Sequence, residues 1–111
     1  MDQRVQKVIT VMEHGFDQQL SVTDLAKAVN LSPWRLYHIF KSETSVSPQQ
    51  YLRALRMEQA RKLLQTTFLS VKQVMIEVGL RDESHFVRDF KSAYGVSPAR
   101  FRHSLDVRND S

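Results

Sequence analysis

Apolar residues recur along this chain at intervals of three and four, with almost no strict alternation, and that pattern predicts helices and no sheet. Val5, Val8, Ile9 and Met12 fall at i, i+3, i+4 and i+7, one face of an amphipathic helix that Gly15 is placed to end at its C-terminal cap. Ser21 offers an N-cap for a helix over 22–29. Ser32-Pro33 is a cap followed by Pro at the first helical position, opening a helix to about residue 43. Ser47-Pro48 repeats that signal with Gln50 at the capping-box position, and Leu52, Leu55, Ala60, Leu63 and Leu64 keep helical spacing to about residue 65. Ser70 and Gln73 form another capping box, in a helix that Gly79 ends. A helix over 83–94 follows, then a last one from Pro98 to about residue 105, and the polar tail 106–111 is expected to fray. The reading is an all-α chain of seven helices, divided as 1–47, a connector helix over 48–67, 68–105 and the tail 106–111.

The same pattern repeats within the chain. Leu20-Ser21-Val22 and Val29-Asn30-Leu31 return as Leu69-Ser70-Val71 and Val78-Gly79-Leu80. Phe40-Lys41-Ser42 and Val46-Ser47-Pro48 return as Phe90-Lys91-Ser92 and Val96-Ser97-Pro98. The offset is 49 in the first pair (20 to 69) and 50 in the second (40 to 90). Each copy carries the punctuation of a helix-turn-helix: a small or compact residue (Ala26), apolar neighbours (Leu25, Val29, Leu31, Leu36, Ile39) and a turn residue that tolerates positive φ (Asn30). The second copy has Val74, Val78, Gly79, Leu80, Phe86 and Phe90 in the matching places. There Met75 replaces Ala26 and the turn holds one extra residue, so a slightly different geometry is expected.

Composition adds limits. Cysteine is absent, which excludes a disulfide framework, thiolate ligands and a thiol nucleophile. No apolar run has the length of a membrane span and no signal segment opens the chain, so no membrane partner and a cytoplasmic location are expected. The net charge of +4 favours an anionic partner. The connector of about 18 residues is roughly 27 Å long, against about 34 Å between successive major-groove faces of B-DNA. A rod of that length suits two recognition helices in adjacent major grooves, bound as a monomer. Because the two heads differ in sequence, the duplex site should be asymmetric.

The run from Val78 to Arg102, with Gly79, Ser84-His85-Phe86, Arg88, Phe90-Lys91, Gly95, Ser97-Pro98 and Phe101, resembles the second-motif signature of the AraC/XylS family of bacterial transcription regulators. Leu31-Ser32-Pro33, Phe40-Lys41, Ser47-Pro48-Gln49-Gln50-Tyr51-Leu52 and the stretch from Arg56 to Leu64 are similar to the family's first motif and connector. The departures are Asn30 and Ser45, where the family often has Gly, and Leu80, where Phe is commoner. The resemblance implies two homeodomain-like helix-turn-helix lobes, a sequence-specific promoter DNA partner, and an activator (in some members a repressor) that recruits RNA polymerase at the nucleoid.

On the helix over 33–43, Leu36, Ile39 and Phe40 face inward, leaving Ser32, Trp34, Arg35, Tyr37, His38 and Lys41 outward. The resemblance places base contacts at Trp34, Tyr37 and His38. On the helix over 83–94, Phe86 and Phe90 face inward, leaving Glu83, Ser84, Val87, Arg88 and Lys91, with Arg88 suited to a bidentate guanine contact. Candidate phosphate contacts are Ser32, Arg35, Lys41, Ser47, Arg81, Lys91 and Ser97. Asp82 with Glu83 complements a helix N-terminus, and two acids there repel phosphate, so the second head is expected to bind less tightly.

His14, His38, His85 and His103 have no metal-ligand spacing and there is no Gly-rich phosphate loop, so neither enzyme, metal nor cofactor is expected. The rival class is a helix-turn-helix used for protein contact, separable from DNA binding by its lack of salt-dependent duplex affinity.

Overall fold

The computed structural model of the chain describes residues 1–109, with side chains as far as 106. Among the described residues there are seven helices and no strand: α1 (Gln3–Gly15), α2 (Val22–Ala28), α3 (Pro33–Thr44), α4 (Pro48–Thr66), α5 (Val71–Glu77), α6 (Glu83–Tyr94) and α7 (Pro98–Asn109). They form two compact units, Met1–Leu55 and Arg56–Ser111, and the division falls inside α4.

Each helix starts where a short polar side chain can accept an otherwise unpaired N–H of the first turn. Asp2, Ser32, Asp82 and Ser97 accept from Arg4, Arg35, His85 and Arg100. Ser21 with Asp24, Ser47 with Gln50 and Ser70 with Gln73 form reciprocal capping boxes. The Ser-x-x-Gln spacing read from the sequence marks two of the seven starts, and the structure adds a third box at Ser21 and Asp24.

In the first unit, Val5, Val8, Ile9 and Met12 of α1 close on Leu25 and Ala26 of α2, Val29 beyond it, Leu36 and Phe40 of α3, and Leu52 of α4. Phe40 meets Tyr51 edge-on at 5.4 Å between ring centres. In the second unit the buried set is Met57, Ala60 and Leu64 of α4, Val74 and Met75 of α5, Val78, and Phe86 and Phe90 of α6. Phe90 packs against Tyr94 and Phe101 at 4.8 and 5.7 Å. The Arg102 guanidinium donates to the carbonyls of Leu64, Thr67 and Leu69, satisfying acceptors where α4 runs out.

The two turns share one closure. Leu31 N–H donates to Ala26 O and Asn30 N–H to Lys27 O, while Leu80 N–H donates to Met75 O and Gly79 N–H to Ile76 O. These are Schellman pairs, and they need a left-handed residue, supplied by Asn30 at φ 56° and Gly79 at φ 85°. The added residue of the second copy is Arg81, which lies beyond the closure and just before the cap Asp82. Met75 is as buried as Ala26.

Two boundaries differ from the sequence expectations. Gly15 is the last residue of α1 with no left-handed φ, and α1 ends on Phe16 in right-handed conformation. Its Cα lies close to Leu20, whose Cδ1 would be 3.5 Å from an added Cβ, so the following loop folds back without a left-handed cap. At the other end α7 runs to Asn109, because 106–109 contain no Gly or Pro to break it. The helix thus extends past the expected end near residue 105; residues 110 and 111 lie outside the described residues.

After α3 and after α6 the chain again turns left-handed, at Ser45 (φ 70°) and Gly95 (φ 83°). A Cβ added to Gly95 would meet nothing within 4 Å, so Gly95→Ala tests the backbone alone. It should cost about 1–2 kcal/mol, the penalty for an L-residue in that conformation, read as a lower urea midpoint at constant slope. Ser45→Gly should raise the midpoint, by less, because glycine loses more backbone entropy on folding.

Acid sensitivity follows from the caps. Asp2 is held down to about 2, first by the Arg4 side chain. Asp24 and Asp82 are also lowered, first by the hydrogen bonds from Ser21 and from the His85 N–H respectively. Carboxylates with depressed folded values contribute stability above their unfolded value of about 3.9, lost as pH falls through the folded value. Melting temperature should fall between pH about 4 and about 2, and Asp2→Asn should flatten part of that decline.

Candidate nucleic-acid interface

α3 and α6 start from equivalent caps. The Arg35 N–H donates to Ser32 Oγ at 3.1 Å, and the His85 N–H to Asp82 Oδ1 at 2.9 Å. Counting from each cap therefore gives equivalent positions on the two helices. Because each residue advances about 100° around a helix, the fourth and eighth positions turn inward. These are Leu36 and Phe40, and Phe86 and Phe90, all fully buried. The second, fifth, sixth and ninth then share the opposite face. On α3 they are Trp34, Tyr37, His38 and Lys41; on α6 they are Ser84, Val87, Arg88 and Lys91.

On α3 these side chains are one connected patch. Trp34 is 72% exposed and its ring lies 4.2 Å from that of His38, tilted by 53°. Tyr37 meets His38 edge-on at 5.2 Å. Lys41 donates to the Tyr37 hydroxyl at 3.3 Å and stands 5.6 Å from its ring centre. Ser32 and Arg35 flank this patch, both exposed. Exposed aromatic rings held by neighbours and bordered by cations can stack on bases or pack on thymine methyl groups.

α6 presents a different chemistry. Ser84, Arg88, Glu83 and Lys91 are exposed, while Val87 is only half-exposed. Arg88 Nε lies 4.0 Å from Asp89 Oδ1, so the guanidinium suited to guanine has a weak counter-charge of its own. Asp82 is the cap, and its lowered value keeps it anionic at neutral pH. Arg81 is exposed in the turn. His85 is exposed on the same helix as well, a residue that sequence reasoning set aside although its place matches Arg35.

Of the remaining candidates, Ser47 and Ser97 are half-buried, and their hydroxyls accept the N–H groups of Gln50 and Arg100. The Ser47 N–H is itself taken by Gln50 Oε1. Those two serines are therefore first of all caps, with only the hydroxyl proton left to offer an anion. On α4, Arg56 is half-buried and burial lowers its pKa. Arg61 reaches Gln65 and the Tyr94 ring, and Lys62 pairs with Glu58 at 3.5 Å. Among the described residues no helix is long and apolar enough to cross a membrane, and no three His, Asp or Glu side chains converge.

A family model for a helix-turn-helix domain matches residues 25–104. The arabinose operon regulatory protein of Escherichia coli is 35% identical over 109 residues, covering 97% of this chain and 37% of that protein. The chain spans 36%, 39% and 37% of the length of three curated relatives, so it corresponds to a part of such proteins. The DNA-binding domain of AdpA, solved in complex with a target DNA, has the same fold with a TM-score of 0.89 at 29% identity, over 97% of each chain. A transcriptional regulator with an AraC-type DNA-binding domain from Chromobacterium violaceum matches with a TM-score of 0.84 at 28% identity, over 91% of this chain and 90% of that one. A helix-turn-helix model matched across 25–104, on the all-α fold of these relatives, makes the chain a member of the AraC/XylS family of bacterial transcription regulators.

Proposed function

We propose that the chain is the sequence-specific DNA-reading part of a cytoplasmic transcription activator, and that it binds an asymmetric duplex site as a monomer. The observation that carries this reading is the outward stripe of Trp34, Tyr37, His38 and Lys41 on α3, together with a stripe at the same positions of α6 but of different chemistry. Trp34, Tyr37 and His38 read bases in one major groove, with Ser32, Arg35, Lys41 and Ser47 on phosphates. Arg88, with Glu83, Ser84 and Val87, reads the other, with Arg81, Lys91 and Ser97 on phosphates. α4 has 19 residues. That is a length of about 28 Å, close enough to the repeat of about 34 Å for adjacent grooves. RNA polymerase is the expected partner at the promoter, and the family's regulators give no reason to assign the chain an enzymatic step.

The first measurement is selection of bound sites from a random duplex library at near-physiological salt. Two unlike boxes about one helical turn apart support the reading; no enrichment, or a palindrome, contradicts it. Affinity should fall steeply with salt through phosphate contacts. A helix-turn-helix used only for protein contact would show no duplex affinity at all.

The difference between the heads generates two further outcomes. Arg88→Ala should cost about 1–3 kcal/mol and relax discrimination at one base pair of the second box. Trp34→Ala with His38→Ala should cost more, because the first head is free of acids equivalent to Asp82 and Glu83; equal losses would contradict the ranking. Trp34 is the only tryptophan. Its fluorescence should be readily quenched by iodide in the unbound chain and shielded on addition of the selected duplex.

A further inference from the structure

We propose that His85 is the phosphate contact of the second head, standing where Arg35 stands in the first, and that it makes the grip of that head depend on protonation. The inference rests on the DNA-binding reading above and adds a residue and a property to it. The two recognition helices carry the same pair of side-chain types in exchanged order. α3 has Arg35 third and His38 sixth from its cap, whereas α6 has His85 third and Arg88 sixth. All four are exposed. The equivalence of the third positions is geometric as well as numerical, since the backbone N–H of each is the one held by the cap side chain. Being fixed by that bond, Arg35 and His85 leave their helices in the same direction relative to the start, along the flank of the base-facing stripe.

The exchange has a chemical consequence. Guanidinium stays charged at every accessible pH, whereas histidine ordinarily changes charge near pH about 6.5. A phosphate beside an imidazolium favours its charged form. The first head therefore has a permanent cation on its flank and the second a conditional one. The surroundings sharpen the contrast. Ser32, the cap below Arg35, is neutral, but Asp82, the cap below His85, is an anion that interacts with both His85 and Arg88. With His85 neutral, Asp82 and Glu83 oppose the phosphate; with His85 charged, that opposition is offset. Farther along α6 stand Arg88 and Asp89. The helices packed on α6, namely α5 and α7, contribute Lys72, Glu77, Arg100, Arg102, His103 and Asp106 as their described ionisable groups. Of these, Arg102 is engaged with main-chain carbonyls.

The test compares the unmodified chain with His85→Arg and His85→Gln, binding a duplex recovered from the library selection, by fluorescence anisotropy at pH 6 and pH 8 over a range of salt. The side chain is exposed and the cap bond uses the backbone, so both variants keep the fold. His14, His38 and His103 are present in all three, so a difference among them belongs to position 85. The unmodified chain should tighten about two- to fivefold more than His85→Gln between pH 8 and pH 6, the range of a partly exposed ion pair. His85→Arg should bind at pH 8 at least as tightly as the unmodified chain does at pH 6, with no such increment. The slope of log K against log salt should be steeper by about 0.9 for His85→Arg than for His85→Gln. Identical pH responses and identical salt slopes in all three would overturn the assignment while leaving DNA binding standing. Failure of the unmodified chain to bind duplex at either pH would overturn both.

Discussion

A seven-residue helix that must stop and be followed at once by another lying across it has most of its carbonyls near an end, and those carbonyls need donors. α2 and α5 are such helices, and the bonds from Leu31 to Ala26 and from Leu80 to Met75 supply them. That closure is possible only because Asn30 and Gly79 accept a left-handed backbone. It also sets where the next cap falls, and hence which side chains of α3 and α6 turn inward. A helix displaced by one residue would rotate its faces by about 100°. Leu36 and Phe40 would leave the core and Trp34 and His38 would leave the surface. The extra residue of the second copy is tolerated because Arg81 lies after the closure and before Asp82, where it changes the path of the chain and not the face of the helix.

The parts of this arrangement legible in the sequence are those decided by local chemistry. A Ser or Asp three residues before a partner for its first turn marks a helix start in any surroundings, and the three- and four-residue spacing of Leu and Phe marks the inward face. The misjudged points are those where tertiary context decides. Gly15 sits where a left-handed cap belongs, but φ at a helix end depends on the path of the following loop, and Leu20 draws that loop back against it. The end of α7 carries no local stop signal, so a polar composition was no guide to where the helix ends. At the candidate interface the outward residues were legible by periodicity. That Trp34, His38, Tyr37 and Lys41 touch one another was not, because ring orientation depends on rotamers. His85 stands outside the outward set read from periodicity, and its position relative to the cap is the signal that finds it.

On the proposed reading, the stacked rings of α3 and the charges of α6 would meet a duplex at different cost. Rings already held by neighbours lose little rotamer freedom on binding, and their burial removes apolar surface from water. On the proposed reading Arg88 would trade its approach to Asp89, and its water, for a base edge, which favours discrimination over raw affinity.

Comparison of the two copies at an offset of 50 separates what the fold requires from what it leaves open. Leu36 pairs with Phe86, Phe40 with Phe90 and Pro48 with Pro98, all buried and all apolar. Ser32 pairs with Asp82 and Ser47 with Ser97, all able to cap. Trp34 pairs with Ser84, Tyr37 with Val87 and His38 with Arg88, and here nothing is kept. Packing and capping tie down the first two groups, because each of those side chains has partners within its own lobe. The outward positions contact only neighbours along their own helix, so their identities are not tied to the packing of the lobe. Two lobes that share this frame but carry unlike outward stripes do not present the same surface twice. On the function proposed above, such a pair of surfaces suits a duplex site that is itself unlike at its two ends.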